Sequence, residues 1–137
     1  MAIINEQFTI STSKAGDIID ITSKIIGFVR YSNVENALLS ITSSSPYVSI
    51  LLTDDSAKSM QNVMEILNSI IPNDFLFKNE NIEIYNGYLK LKSLLLGHNL
   101  NLAVKNNKIQ IDDYCKIAVI NFNSNASNCS ITASLAH

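Results

Sequence analysis

The sequence predicts one α+β domain in which a mixed or antiparallel β-sheet carries two main helices on one side. Short alternating or apolar segments follow one another along most of the chain, whereas helical periodicity is confined to a few stretches. With 137 residues, of which 47% are hydrophobic and 16% charged, the chain is large and apolar enough to build a core. Residues 1–137 are therefore expected to form a single domain without internal repeats.

The first half of the chain is predicted to contain four strands and one helix. A serine-rich turn, Ser43-Ser44-Ser45-Pro46, separates the third strand from the fourth. Thr22 is the expected N-cap of a helix over residues 24–31, with Ile25, Ile26 and Val29 on its inner side. The four strands are expected over residues 7–12, 18–21, 37–42 and 48–52.

The second helix has the clearest periodicity in the chain. Asp55 or Ser56 is its expected N-cap, and Pro72 is its expected end. Apolar residues at i, i+3, i+4 and i+7 predict a stripe that faces the core. The stripe consists of Met60, Val63, Met64, Leu67, Ile70 and Ile71.

A polar stretch over residues 73–87 follows and predicts a long surface loop. A shorter helix is expected over residues 88–96, ending at Gly97. Asn106-Asn107 favours a tight hairpin, because asparagine tolerates the positive φ angles of such a turn. The remaining strands are expected over residues 100–104, 109–111, 115–122 and 130–135.

Composition excludes several classes of function. A formal net charge of -2 with scattered lysines argues against a nucleic-acid-binding protein, which usually has a basic face. No apolar run approaches the roughly 20 residues of a membrane helix, and no signal peptide is expected, so the cytoplasm is the predicted location. Cys115 and Cys129 match neither a redox pair nor a zinc motif and are expected to be buried thiols that form no disulfide.

A family resemblance rests on several segments taken in order. Residues 8–12 read Phe-Thr-Ile-Ser-Thr, Asp20-Ile21-Thr22 follows, Ile71-Pro72 closes helix two, and residues 91–97 read Leu-Lys-Ser-Leu-Leu-Leu-Gly. Together they resemble the YjbQ-like family, whose members are described as secondary thiamine-phosphate synthases. The last segment is similar to the family's His-Ala-His-Leu-Lys-Ala-Ser-Leu-Leu-Gly. The resemblance covers nearly the whole chain and implies the YjbQ-like fold and a homotrimer.

The chain departs from this family where the resemblance implies function. Ser43 begins the segment that corresponds to the family's His-Thr-Thr, and Leu52 stands in place of an acidic residue. Tyr88 and Lys90 fall on the His-Ala-His pair, and only Lys92 is retained. Since the family's histidines resemble metal ligands, the resemblance implies that this chain has lost the metal site and the catalytic residues of its relatives.

The residues themselves predict little chemistry. A transition-metal site needs three or four converging ligands, and the chain has only His98 and His137 as histidines. His98 is expected at the surface near a helix end, and Asp54-Asp55 is expected to cap a helix. Cys115 has no base nearby in sequence, and no cofactor-binding motif is present. We therefore expect no catalytic residue, no bound metal and no cofactor.

One group of side chains remains a candidate pocket. It consists of Ser43, Tyr88, Lys90, Lys92 and Tyr114, the last within the segment that corresponds to the family's Gly-Thr-Trp-Gln. Lysine and tyrosine both donate hydrogen bonds and together can hold a small anion without a metal. The alternative is that the two lysines only mark the polar face of an amphipathic helix.

Three hypotheses of function follow. The first is a pseudoenzyme, a non-catalytic relative that serves in assembly or binds a small anionic ligand. The second is an active enzyme of the thiamine-phosphate synthase type that uses substitute residues. The third is a partner of an active homologue in a mixed oligomer. The missing histidines favour the first hypothesis, with no nucleic acid or membrane as partner.

Overall fold

Eight strands and three helices follow one another in the computed structural model, which describes residues 1–14, 16–54, 56–71, 87–123 and 128–137. The helices are α1 (Thr22–Ser32), α2 (Ala57–Ile70) and α3 (Gly87–Leu96). The strands are β1 (Ile3–Ser11), β2 (Asp17–Asp20), β3 (Ala37–Ser43), β4 (Val48–Asp54), β5 (Asn99–Lys105), β6 (Lys108–Ile109), β7 (Cys115–Asn121) and β8 (Asn128–Ala136).

The strands form two antiparallel sheets. The larger sheet has the order β1-β8-β3-β5-β6, and the smaller sheet has the order β2-β7-β4. The predicted α+β class and antiparallel pairing are confirmed, and the structure adds that the strands divide between two sheets. No helix in these described ranges is long and apolar enough to cross a membrane.

The larger core lies between the two sheets and α1. Side chains alternate along β8, so that Cys129, Ile131, Ala133 and Leu135 are buried while the serines and threonines between them are not. α1 closes this core with Ile25, Phe28 and Val29. The larger sheet is therefore apolar on one face and polar on the other, as is common in antiparallel sheets.

A second core lies on the other face of the smaller sheet. Ile120 and Phe122 point away from the larger sheet and pack with Met60 and Leu67 of α2. Residues 117–122 are all buried, because β7 has a core on each face. The continuous apolar run in this part of the sequence is typical of a strand buried on both sides.

The ends of the helices confirm some predictions and correct others. Ser56 is the N-cap of α2, where its Oγ accepts a hydrogen bond from the Ser59 backbone at 3.3 Å. The alternative cap, Asp55, lies outside the described residues. The prediction that Thr22 caps α1 is wrong, because Ile21 is the N-cap and Thr22 lies in the first turn. The Thr22 hydroxyl accepts a hydrogen bond from the Ile117 backbone at 2.9 Å and so ties α1 to β7.

Two apolar residues predicted to face the core do not. Ile26 in α1 is 39% exposed and Ile70 in α2 is 60% exposed, so the corresponding predictions are wrong. Ile25 occupies the inner side of α1, and a neighbour in sequence is turned by roughly 100° around the helix axis. Ile71, directly after α2, is buried.

The turns after α3 follow the prediction. Asn106 and Asn107 have φ angles of 54° and 61°, the left-handed values that a tight hairpin between β5 and β6 requires. Gly97 ends α3 with a φ angle of 92°. The predicted loop over residues 73–87 lies outside the described residues except for Gly87, which begins α3.

The second core predicts the effect of a cavity in α2. Leu67 is 5% exposed, so Leu67→Ala is expected to lower the free energy of unfolding by about 2–5 kcal/mol in a denaturant titration. Ile66→Ala on the same helix is the matched control, since Ile66 is 58% exposed and its truncation is expected to cost under about 1 kcal/mol. Equal losses for the two variants would contradict the packing of α2 described above.

Candidate functional site

Among the predicted site residues, Lys92 is the most deeply buried charged residue. It lies in α3, is only 2% exposed, and donates a hydrogen bond from Nζ to Oδ1 of Asn68 in α2 at 2.6 Å. Desolvation by burial lowers the pKa of the Lys92 ammonium below its ordinary value. Lys92 thus places a cation at the contact between two helices.

A pair of serines beside Lys92 joins α3 to the smaller sheet. Ser49 in β4 and Ser93 in α3 are both fully buried. The Ser49 hydroxyl donates to the Ser93 backbone carbonyl at 2.9 Å, and the two hydroxyl oxygens lie 3.1 Å apart. Because the single hydroxyl proton of Ser49 is donated to the carbonyl, the Ser93 hydroxyl is the donor in the hydrogen bond between the two hydroxyls. These small polar side chains let the helix approach the strand closely with their hydrogen bonds satisfied.

His98 follows α3 and has a fixed tautomer. Its Nδ1 lies 2.8 Å from the Val48 carbonyl oxygen, which can only accept, so Nδ1 carries the proton. Nε2 is buried and has no hydrogen-bond partner among the described residues. The expectation of a surface histidine is therefore wrong, because the imidazole is partly buried against the start of β4.

The other predicted site residues hold local turns. The Ser43 hydroxyl accepts a hydrogen bond from the Ser45 backbone at 3.2 Å, and the Ser43 backbone donates to the His98 carbonyl at 3.1 Å. Tyr114 is 61% exposed, and its hydroxyl donates to Oδ2 of Asp112 at 3.0 Å. That hydrogen bond and the Asp112 charge raise the pKa of the Tyr114 phenol.

The structure brings some of the predicted residues together and separates others. Ser43 lies near the Val48 end of β4, since the Ser45 carbonyl accepts a hydrogen bond from Val48. Tyr114 lies at the other end of β4, because the next residue, Cys115, pairs with Asp54. The seven residues of β4 span roughly 20 Å, so Ser43 and Tyr114 do not share one pocket.

The two lysines of α3 also have different surroundings. Lys90 is exposed, whereas Lys92 is buried against α2. Tyr88 belongs to the first turn of α3, and its side chain lies outside the described part of the structure. A site built on α3 therefore has Lys92 inside and Lys90 at its exposed side.

Sequence reasoning missed the partner of Lys92 in α2 and the buried serine pair that joins α3 to β4. Asn68, Ser49 and Ser93 were not among the predicted site residues, although Ser49 and Ser93 each interrupt an apolar run. A small polar residue within such a run indicates a buried hydrogen bond, and that signal was available. The described residues contain no group of three or more His, Cys, Asp or Glu side chains that could hold a metal ion.

Residues 6–135 match the family model described as "UPF0047 protein YjbQ-like". A curated "UPF0047 protein" from Methanothermobacter thermautotrophicus is 22% identical over 117 residues, which cover 85% of this chain and 81% of the relative.

Solved structures share the fold. A "YbjQ-like protein of unknown function" from Sulfolobus solfataricus P2 aligns with a TM-score of 0.90 at 17% identity, covering 98% of this chain and 96% of that one. A hypothetical protein from Aeropyrum pernix K1 aligns with a TM-score of 0.87 at 14% identity, covering 97% and 98% of the two chains. At such identities the likeness shows the arrangement of helices and strands alone.

The burial of Lys92 predicts a pH dependence of stability. Because folding lowers the pKa of this ammonium, the protonated form costs stability below the folded-state pKa, and the cost disappears as the pH rises to 10.5, the ordinary lysine value. Relative to Lys92→Met, the wild type is expected to gain stability as the pH rises through this window in denaturant titrations. Lys90→Met is the matched control, since it removes an exposed ammonium from the same helix. A difference in unfolding free energy between wild type and Lys92→Met that does not change with pH would contradict the burial of the Lys92 ammonium.

Proposed function

The chain belongs to the UPF0047 YjbQ-like family, and we propose that it is a divergent, non-catalytic member that binds a small anion beside α3 and assembles with copies of itself. The anion-binding role is assigned to Lys92 and Lys90.

The observation that carries the proposal is the local role of Ser43. Ser43 stands at the position where the family resemblance implies a histidine, and its hydroxyl is bound within the turn by the Ser45 backbone at 3.2 Å. A serine hydroxyl does not titrate near neutral pH and is a weak substitute for a general base or a metal ligand. Leu52, in the position of an acidic residue, is an apolar side chain that is 40% exposed and disfavours a charged intermediate beside it.

The anion-binding part of the proposal rests on charge and burial. Lys92 is a buried cation, and an ammonium in surroundings of low dielectric attracts a nearby anion more strongly than an exposed ammonium does. Asn68 fixes the direction of Nζ. Lys90 lies two residues before Lys92 and about 200° around the helix axis, so it faces away from Lys92 and adds only a long-range positive potential at the exposed side of α3.

A second candidate function is an active enzyme that uses substitute residues, and the pKa of Lys92 favours it. A lysine whose pKa is lowered by burial has a larger neutral fraction and is a better base or nucleophile. The two candidates differ in one respect that growth can measure, which is the turnover of a thiamine-phosphate precursor.

The proposal predicts that this chain does not support thiamine-phosphate synthesis. In a thiamine auxotroph that lacks its own thiamine-phosphate synthase, the chain is expected not to restore growth, because loss of a positioned acid-base group alone typically lowers the rate by about 10²–10⁴-fold. A relative with all the family histidines, expressed to the same level, is the positive control. Growth restored by this chain and abolished by Lys92→Ala would establish the second candidate instead.

Assembly is the other part of the proposal, and we place it on the larger sheet. One row across the solvent-facing side of four strands is apolar, because Ile3 pairs with Ala136, Ala136 with Leu38, and Leu38 with Ala103. Ile3 and Leu38 are each more than half exposed. Beside this row, β1, β8 and β3 carry uncharged Ser, Thr, Asn and Gln side chains on the same face, as in Asn5 and Ser40, while Lys105 and Lys108 lie at its β5–β6 edge. The uncharged part of the face is favourable for contact between identical subunits.

The assembly predicts a homotrimer by light scattering at micromolar concentration. Leu38→Asp is expected to shift the population toward monomer, because it places a charge in the apolar row. Ile66→Asp in α2 is the control, since it adds the same charge to an exposed residue far from that face in the fold. A stable wild-type monomer would refute the assembly. Equal dissociation of both variants would show that the subunit interface does not lie on this face of the larger sheet.

A further inference from the structure

A cleft of about 300 Å³ lies beside α1, away from the α3 site. One wall is a stripe of α1 formed by Thr22, Ile26, Val29 and Arg30, whose spacing puts them on the same side of the helix. The opposite wall is formed by residues between positions 107 and 116, which run from the β5–β6 hairpin to the start of β7. The volume is at the lower end of the range for small-molecule sites.

The floor of the cleft is apolar. Ile26 and Val29 from α1 face Ile109 and Ile111 from the opposite wall. Ile26 is 39% exposed because it borders this cleft, although its apolar character predicts burial. An apolar ligand would cover a side chain that the fold alone leaves in contact with water.

The two walls are held together at both ends. Nδ2 of Asn107 donates to the backbone carbonyls of Val29 and Val34, each at 2.8 Å, and fixes the hairpin to the last turn of α1. At the other end, the bond from the Ile117 backbone to the Thr22 hydroxyl fixes the start of β7 to the first turn. The cleft is therefore formed before a ligand arrives, which lowers the entropic cost of binding.

The rim of the cleft carries three cations and two carboxylates. Arg30 and Lys108 lie at the hairpin end, and Lys116 lies at the Thr22 end. Asp112 and Asp113 stand between the two ends, and Asp112 accepts the hydrogen bond of the Tyr114 phenol. The hairpin end of the cleft thus carries two positively charged side chains.

Two backbone carbonyls near the end of α1 already accept hydrogen bonds, so they do not present unpaired oxygens to an anion at this end of the cleft. The Val29 carbonyl accepts hydrogen bonds from Asn107 and from the Ser32 hydroxyl, and the Arg30 carbonyl accepts one from the Asn33 backbone at 3.2 Å. These donors offset the partial negative charge that a helix C-terminus otherwise presents to an anion.

We propose that this cleft is a second ligand site, which binds a small organic oxyanion with an apolar body, either a carboxylate or a phosphate monoester. The apolar body lies on Ile26 and Ile109, and the oxyanion lies between Arg30 and Lys108. The guanidinium presents two parallel N–H donors that match the oxygens of a carboxylate or a phosphate. The site shares no residue with the α3 site, so either one can fail without the other.

The test is a titration of the ¹⁵N-labelled full chain followed by amide chemical shifts. Phenyl phosphate and benzoate carry the two oxyanions on the same ring, while inorganic phosphate lacks the ring and benzyl alcohol lacks the charge. At least one of the two aromatic anions is expected to shift amides of residues 26–30 and 107–113 saturably, and to bind more tightly than either control compound. No saturable shift at millimolar concentration, or equal binding of inorganic phosphate, would overturn the proposal.

Variants distinguish specific binding in this cleft from unspecific electrostatic attraction. Arg30→Gln is expected to weaken the binding of the tighter anion about tenfold, since it removes charge-assisted hydrogen bonds. Lys24→Gln removes an exposed charge from the same helix outside the cleft and is expected to leave the affinity unchanged. Ile26→Trp, which fills the cleft from a partly exposed position, is expected to abolish binding while circular dichroism stays native. Equal affinities of the Arg30 and Lys24 variants, or wild-type affinity of Ile26→Trp, would refute the site.

Discussion

The strand β7 is buried on both faces, and the two hydrophobic cores of the protein meet on it. Ile117 and Val119 belong to the core between the sheets, while Ile120 and Phe122 belong to the core under α2. Its backbone is paired on both edges, with β2 on one side and β4 on the other. A strand in this position must be apolar at nearly every residue, which is a stronger constraint than the alternation of an ordinary antiparallel strand.

The position of the α3 site follows from this constraint. The register of β4 on β7 sets Ser49 opposite Ile120, on the face of the smaller sheet that carries α2 and α3. α3 then packs on Ser49 through Ser93, and the neighbouring Lys92 is carried into the protein toward Asn68. The hydrogen bond to Asn68 compensates part of the hydration that the Lys92 ammonium loses there.

Sequence alone predicted those parts of the structure that depend on local pattern. The apolar run of β7, the periodicity of α2 and the two asparagines of the β5–β6 turn each specify their own conformation. The division of the strands into two sheets depends on which distant strands pair, and no local pattern encodes that. The family resemblance correctly indicated the fold. It did not indicate that Lys92 is buried while Lys90 is exposed, because the two lysines lie in the same short helix and only the direction of each side chain around the helix axis differs. The exposure of Ile26 likewise depends on a wall contributed by residues 107–116.

Native-state hydrogen exchange tests the central role of β7 most directly. If β7 joins the two cores, the amides of Val119 and Ile120 exchange only when the whole protein unfolds. Their free energies of opening should then equal the free energy of global unfolding from denaturant titration, and should equal or exceed that of Ile131 in β8. The account would be contradicted if Val119 and Ile120 opened at a clearly lower free energy than Ile131, because the smaller sheet would then unfold while the larger sheet stays folded.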